Sequence, residues 1–358
     1  MTKHRPDFEL NRPGALIAAL PAILGFVPEK SLVLVSVDEG ELGSVMRVDV
    51  SEELADRVEQ LAEVAAAADP EAAIAVIVDA DGARCPGCSD EYRRVCDALA
   101  EALAQRDIVL WAAHVVDRIA VGGRWHCVDD CGSGGVIDDP AASPLAVAAV
   151  LDGRRLYPRR ADLEAVVAVD DRERTGTLVP TVKREAAERD IAERADPLGC
   201  SRRDVEKAMA AAARVADGQR LSDVELAQLG CALTDVRVRD TLYALAVGEN
   251  SGPAESLWAV LARALPEPWR VEALVLLGFS AYARGDGPLA GVALEAALRC
   301  SPGHRMAGML DTALQSGLRP EHIRELATTG YRLARQLGVR LPPRRAFGSF
   351  GQSGRCAG

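Results

Sequence analysis

The sequence predicts an α/β N-terminal domain built on a buried, mainly parallel or mixed sheet. An all-α C-terminal region with tetratricopeptide-like helical hairpin packing follows. Three observations carry this expectation. Short continuous apolar runs, "SLVLVSV", "AAIAVIVDA" and "IVLWAAHVV", alternate with amphipathic stretches in the first third of the chain. From about residue 143 the apolar spacing becomes helical almost throughout. Hydrophobic residues make up 49% of the 358 residues but aromatics only 4%, so the core must come from Ala, Leu and Val, which suits closely packed helices.

Taken in order, residues 12–24 form a short helix that leads into a turn at Gly25 to Lys30. "SLVLVSV" is apolar without clean alternation, as a strand covered on both faces requires. "DEGELG" supplies a turn and "SVMRVDV" a second strand. Ser51 caps the next helix, whose apolar face is Leu54, Val58, Leu61 and Val64. "AAIAVIVDA" is a buried strand, and "CSDEYRRVCDALAEALAQRD" is a helix with Tyr92, Val95, Leu99 and Leu103 on a related face. "IVLWAAHVV" is a further strand and "GGRWHCV" an additional edge strand. The domain boundaries follow: 12–140 for the α/β domain, 141–198 for a helical connection and polar linker, 199–338 for the helical domain and 339–358 for a flexible Pro/Gly/Ser-rich tail. Residues 171–198 are expected to hold one exposed helix and a hinge.

The helical part carries one repeat unit. Leu277 and Gly278 precede Ala290, Leu294, Ala297 and Pro302 at tetratricopeptide spacing, with the expected tyrosine displaced by one to Tyr282. Gly278 permits a close helix crossing against Ala290, and Gly285 and Gly287 break the pair. Trp258 and Trp269 read as large core or groove plugs.

Charge and targeting signals narrow the function classes. With 42 Lys plus Arg against 53 Asp plus Glu the net charge is −11, which disfavours nucleic acid as a partner. Pro21, Gly25, Pro28, Glu29 and Lys30 interrupt the loudest apolar stretch, so no membrane span is expected. No signal-peptide pattern is visible, and nine cysteines do not read as a secreted disulfide scaffold, so a cytoplasmic location is expected.

Several segments carry candidate chemistry. "LGFVPEKS" has Lys30 and Ser31 before a strand, the reverse of a phosphate loop, so a core plug and turn is the stronger reading. "IVDADGARCPGC" lacks the glycine spacing of a dinucleotide site. It still follows the carboxyl end of a buried strand, where Asp79 and Asp81 are candidates to bind a cation or polar substrate. Cys85 and Cys88, with Cys127 and Cys131, are candidate ligands for Zn, and His126 is a substitute for one of them. Cys85 and Cys88 also have the spacing of a redox pair. Arg124, Trp125 and His126 combine a cation and an aromatic suited to a phosphate or carboxylate; the competing reading is an edge strand with Trp125 inward. His114 reads as a hydrogen-bonded buried or edge histidine. Asp235 and Arg239 stand one helical turn apart and are expected to pair, while Arg239 beside Asp240 is a further ligand candidate.

The segments "LPAILGFVPEKSLVLVSV", "MRVDV", "GGRWHC", "SPLAVAAVLDGRRLYPRRADL", "VRDTLYALAV", "LWAVLARALP" and "LLGFSAYARGDGPLAGVALEAALRCSPGHRMAGMLDTAL" occur in that order. Together they resemble the actinobacterial domain-of-unknown-function family numbered 4192, over roughly residues 12 to 320. The resemblance implies a soluble α/β part joined to a helical part, and no activity. One departure is visible: the family pattern places a Tyr after the Arg-Trp pair, followed by a more crowded cysteine segment, whereas this chain has "RWHCVDDCGSGG".

The leading functional expectation is a non-enzymatic binding or scaffolding protein that holds a protein or peptide partner through its helical region. The alternative is a small-ligand-binding protein or metal-assisted hydrolase, with its site at the α/β loops or in a cleft between domains.

Overall fold

The computed structural model describes residues 12–345 except 52, 68, 152, 153 and 171. Residues 346–358, the end of the expected tail, lie outside the described residues. The chain divides into two compact units, one running to Arg160 and the other beginning at Ala161. No helix of the described residues is long and apolar enough to cross a membrane.

The first unit contains α1 (Pro13–Leu24), β1 (Ser31–Asp38), β2 (Glu41–Asp49), α2 (Val58–Ala66), β3 (Ala72–Val78), α3 (Pro86–Ala104), β4 (Val109–Val116), β5 (Arg124–Cys127), β6 (Gly134–Val136) and α4 (Pro144–Leu151). The strands form one six-stranded sheet in the order β2-β1-β3-β4-β5-β6. It is mixed: β3 and β4 are parallel, and every other neighbouring pair is antiparallel. β1 and β2 join by a tight turn at Glu39–Gly40, which forces them antiparallel. β3 and β4 are linked by α3, the crossover that a parallel pair requires.

β1 is buried up to its last residue and β3 throughout, as their unbroken apolar runs predict. Leu32, Leu34, Ala73, Ala75 and Ile77 on one face pack with Leu61, Ala62, Leu99 and Leu103 of α2 and α3. The alternate residues Val33, Val35 and Val76 point to the other face and are equally buried.

Three local expectations are corrected. Val64 is 53% exposed, because the buried stripe of α2 runs through Val58, Leu61, Ala62 and Ala65, and a second step of three residues after Leu61 carries Val64 off it. Ser51 caps nothing with its side chain; its carbonyl accepts from the Leu54 amide instead. β5 is not an edge strand, because β6 pairs along it. β6 contains two glycines in three residues and so has little strand signal.

The second unit is helical: α5 (Arg160–Glu164), which begins at the boundary, α6 (Arg172–Ala195), α7 (Pro197–Ala216), α8 (Asp223–Leu233), α9 (Val236–Leu242), α10 (Ser251–Ala264), α11 (Arg270–Arg284), α12 (Gly287–Cys300), α13 (Arg305–Gln315) and α14 (Pro320–Leu337). α6 is more than a surface helix, since Leu178, Val182 and Glu185 are buried and it packs on α7 and α8.

The apolar-rich run from Ser222 to Val247 is not one helix: α8 ends at Leu233, and α9 begins after Asp235. The Asp235 carboxylate accepts from the Arg237 amide at 2.9 Å and starts α9. The expected Asp235–Arg239 pair is absent. Asp235 accepts instead from Arg189 at 2.9 Å and from the Ser201 hydroxyl at 2.8 Å. Arg189 also reaches Asp204 at 2.9 Å and Glu193 at 2.8 Å, so one guanidinium ties α6, α7 and the start of α9. Burial pulls Arg189 down, but Asp204 and Asp235 outweigh it and keep the cation charged.

The repeat-like hairpin has the predicted geometry. α11 ends at Gly285, and Asp286 caps α12 by accepting from the Leu289 amide at 3.2 Å. Gly278 faces Leu294 and the carbonyl of Ala290. A Cβ added there would lie 2.9 Å from Leu294 Cγ and 3.5 Å from that carbonyl oxygen. α10 and α13 continue the packing on either side. Trp258 is wholly buried and Trp269 half-buried.

This contact generates a stability prediction. Gly278→Val adds carbon where no space exists and should cost about 1–3 kcal/mol. The loss should be read as a lowered urea midpoint for the helical unit of the full-length protein. An unchanged midpoint would mean that α11 and α12 do not meet through this glycine.

Candidate functional site

Two buried carboxylates mark one edge of the sheet. Because β3 and β4 run parallel, their carboxyl ends lie side by side, and the Asp79 amide donates to the Val116 carbonyl at 3.0 Å. Asp79 and Asp117 each follow the last residue of a strand, and they are 8% and 5% exposed. The antiparallel neighbours bring their starts to the same edge. Ser31 pairs with Val78, which places Lys30 there, and Trp125 pairs with Val116, which places Arg124 there.

Each carboxylate is held by its own loop. The Tyr92 hydroxyl donates to Asp79 Oδ2 at 2.5 Å, and the Asp81 amide donates to Oδ1 at 3.1 Å. Burial pushes the Asp79 carboxyl up, but Tyr92, the amides of Gly82 and Asp81, and Lys30 outweigh it and hold it below the usual range. Tyr92 is raised in turn, by burial first and then by the carboxylate beside it. Gly82 is required for this approach, since a Cβ would stand 2.1 Å from the Tyr92 hydroxyl. Asp117 accepts from the Arg124 amide at 2.8 Å and meets the guanidinium groups of Arg118 at 3.2 Å and Arg84 at 3.5 Å. Asp81 points outward, with Lys30 at 3.7 Å and both side chains well exposed. Such a pair contributes about 0–1 kcal/mol.

Beside Asp117 lies an open cleft of about 510 Å³ lined by Arg84, Arg124, Trp125 and His126 and by the loop that returns to β6. The Trp125 ring stands edge-on to His114, with centroids 5.0 Å apart and planes at 72°. His114 is buried as expected, but its Nδ1 has no hydrogen-bond partner, which corrects the expectation of a hydrogen-bonded ring. Burial lowers its pKa and favours the neutral form. His126 is half-buried on the cleft wall.

The four candidate zinc ligands form two pairs. Cys85 and Cys88 stand at the start of α3, Cys127 ends β5 and Cys131 follows it; all four are unbridged, and Cys127 Sγ donates to Asp129 Oδ2 at 3.9 Å. No group of three or more His, Cys, Asp or Glu side chains suited to a metal ion gathers among the described residues. Arg239 belongs to the second unit, where Asp240 at 2.9 Å and Glu272 at 3.3 Å engage its guanidinium. Glu272 also receives His304 Nε2 at 3.2 Å, while His304 Nδ1 accepts the Ala307 amide and starts α13. Arg239 is thus tied into the helix array.

The second unit has a groove of about 450 Å³ lined by Val167, Glu267, Arg270, Glu295, Arg299 and Cys300. Arg270 is only 7% exposed. Its Nη2 donates to the Val167 carbonyl, its Nε has no partner, and it forms no ion pair among the described residues. Burial lowers its pKa more than the nearby charges of Cys300 and Glu267 raise it. The available signal was one Arg opening the apolar helix "RVEALVLLGF".

The bond from Tyr92 to Asp79 makes a pH-dependent prediction. A hydrogen bond to a charged group contributes about 1.5–3 kcal/mol, so Tyr92→Phe should lower stability by that amount at neutral pH. The Asp79 carboxyl is depressed in the folded state. Its contribution is therefore present above the ordinary carboxylate value and lost as pH falls through the lower folded value. Denaturant titrations of both proteins should show the gap closing in strong acid. A gap constant with pH would contradict an ionised Asp79 as the acceptor.

No curated protein and no solved structure matches the chain. A family model does, over residues 13–321, which take in the sheet unit, the carboxylate edge and the α11–α12 hairpin. The chain therefore belongs to the family described as domain of unknown function (DUF4192).

Proposed function

We propose that this chain is a non-enzymatic binding protein that holds an acidic segment of a partner in the groove of its helical unit. One observation carries the reading: Arg270 is a buried cation that forms no ion pair among the described residues, at the wall of a groove that also presents Arg299. A buried unpaired charge is costly, and a carboxylate docking there offsets that cost. Stacked helix pairs such as α11 and α12, extended by α10 and α13, support such grooves.

A second reading rests on the cleft of the first unit. Arg84, Arg124 and His126 line it, and Trp125 supplies an apolar wall. This set suits a small anionic ligand. The oxygens of Asp79 are engaged by Tyr92 and a backbone amide, so that carboxylate is better suited to holding its loop than to metal-assisted hydrolysis.

The test uses full-length protein and a hexaglutamate peptide, with acetate as the small-anion arm. Calorimetry should show peptide binding that weakens at least about tenfold in Arg270→Gln, equivalent to ~1.4 kcal/mol, and falls with added salt. Acetate should bind far more weakly. The variant should remain folded, since it loses an unpaired buried charge. Equal peptide binding by both proteins would overturn the groove as the site, and loss of peptide binding on Arg124→Gln instead would favour the cleft.

A further inference from the structure

The cleft of the first unit sits where an open α/β sheet places its ligands, outside the carboxyl ends of parallel strands, here β3 and β4. Arg124 and His126 lie two apart on β5 and so project to one face of the sheet. Arg84 reaches the same cleft from the segment between β3 and α3, where Asp117 holds its guanidinium at 3.5 Å. Arg124 and His126 make no side-chain hydrogen bond or ion pair among the described residues. Two free donors therefore stand beside one that is anchored.

Charge and shape at the cleft both favour an anion. The buried Asp117 carboxylate meets two guanidinium groups, those of Arg84 and Arg118, and so is more than balanced. Arg124 adds a further cation. His126 pairs with Gly134 across the β5–β6 ladder, so no side chain stands opposite the imidazole. Glycine is required at that position, because a Cβ there would lie 2.9 Å from the Trp125 carbonyl oxygen. Asp130 is the remaining charged residue of the lining.

We propose that this cleft binds the phosphate monoester of a small polyol, with Arg84, Arg124 and His126 on the phosphate oxygens and Asp130 accepting from a ligand hydroxyl. The inference rests on the second reading above, that the cleft takes a small anion, and commits the site to one chemical class. Three donors on one cleft match the three peripheral oxygens of a tetrahedral phosphate, whereas a carboxylate offers two oxygens in one plane. The volume of about 510 Å³ lies within the range of small-molecule sites, roughly 300–1,000 Å³. A phosphate alone would leave most of that space empty, so the anion arrives with an organic body. Asp130 repels a second anionic group and accepts from hydroxyls, which makes that body hydroxylated rather than acidic.

The test is calorimetry on the full-length protein with glycerol 3-phosphate, inorganic phosphate and acetate. It is run in low salt at pH 8, above the second phosphate ionisation at about 6. Glycerol 3-phosphate should bind at one site per chain, at least about tenfold tighter than inorganic phosphate and about a hundredfold tighter than acetate. Arg124→Gln and His126→Ala should each weaken it at least about tenfold, and Arg124→Lys, which keeps the charge but loses the planar fork, by a smaller factor. The urea midpoints of these variants should match the parent's, since neither side chain has a partner in the fold among the described residues. Asp130→Ala should narrow the gap between the ester and inorganic phosphate. Acetate binding as tightly as glycerol 3-phosphate, with both lost in Arg124→Gln, would overturn the phosphate assignment and leave the cleft an anion site. Inorganic phosphate binding as tightly as the ester, or a gap unchanged in Asp130→Ala, would overturn the polyol assignment. Binding of none of the three anions, or binding indifferent to Arg124→Gln, would overturn the cleft reading itself.

Discussion

The parallel pairing of β3 with β4 is the constraint on which the first unit depends. Two parallel neighbours cannot be joined by a hairpin, so the chain must cross over through α3. That crossover sends both strands toward the same edge and ends both in aspartate. The carboxylates then have to be satisfied away from bulk water. Tyr92 on α3 meets Asp79, and Arg84 from the β3–α3 loop and Arg118 from the β4–β5 turn meet Asp117. The antiparallel neighbours β1 and β5 deliver Lys30 and Arg124 to the same place. The start of α3 lies just beyond β3, which puts its two cysteines near the buried charge of Asp79. One pairing thus accounts for the polar character of that edge.

The second unit solves a different packing problem with small side chains and a few buried charges. Gly278 lets α11 approach α12 closely, and Ala290, Ala293 and Ala297 line the crossing without bulk. Polar ties then bind the helices in specific registers. Arg189 joins α6, α7 and the start of α9, while Arg284 reaches Glu255 and Asp286 on either side of α11. These cations have buried acidic partners. Arg270 differs: its Nη2 donates to the Val167 carbonyl and it forms no ion pair among the described residues, and the contrast gives the groove its chemical character.

Much of this was legible in the sequence because the signals were local. The runs at 31–37 and 72–78 read as interior strands from continuous apolarity, and both are. Gly278, Ala290 and Leu294 read as a helix crossing from spacing alone, and they meet. Asp79, Asp81, Arg124 and His126 were visible as polar residues at strand ends, and the sheet brings all four to the first unit's loop edge and cleft. What stayed hidden depends on distant partners. Asp117 closes an apolar run just as Asp79 does, but only the strand register makes the two neighbours. Asp235 was assigned to Arg239 by helical spacing, whereas Arg189, 46 residues away, claims it and breaks the helix there. Val64 shows the limit of a count by threes, because two successive steps of three from Val58 leave the buried stripe that Ala62 and Ala65 continue. Arg270 could be seen only as one cation beside apolar residues. Its lack of an ion pair among the described residues depends on how the helices of the second unit pack.

The most direct test of the account is the hydrogen bond that locks the two central strands together. In full-length protein labelled with nitrogen-15 and carbon-13, the coupling across the bond from the Asp79 amide to the Val116 carbonyl reports the pairing itself. The account predicts a measurable coupling and an Asp79 amide that exchanges as slowly as the interior of β3. No coupling, together with an Asp79 amide that exchanges at the rate of an open loop, would contradict the parallel pairing and the charged edge built upon it.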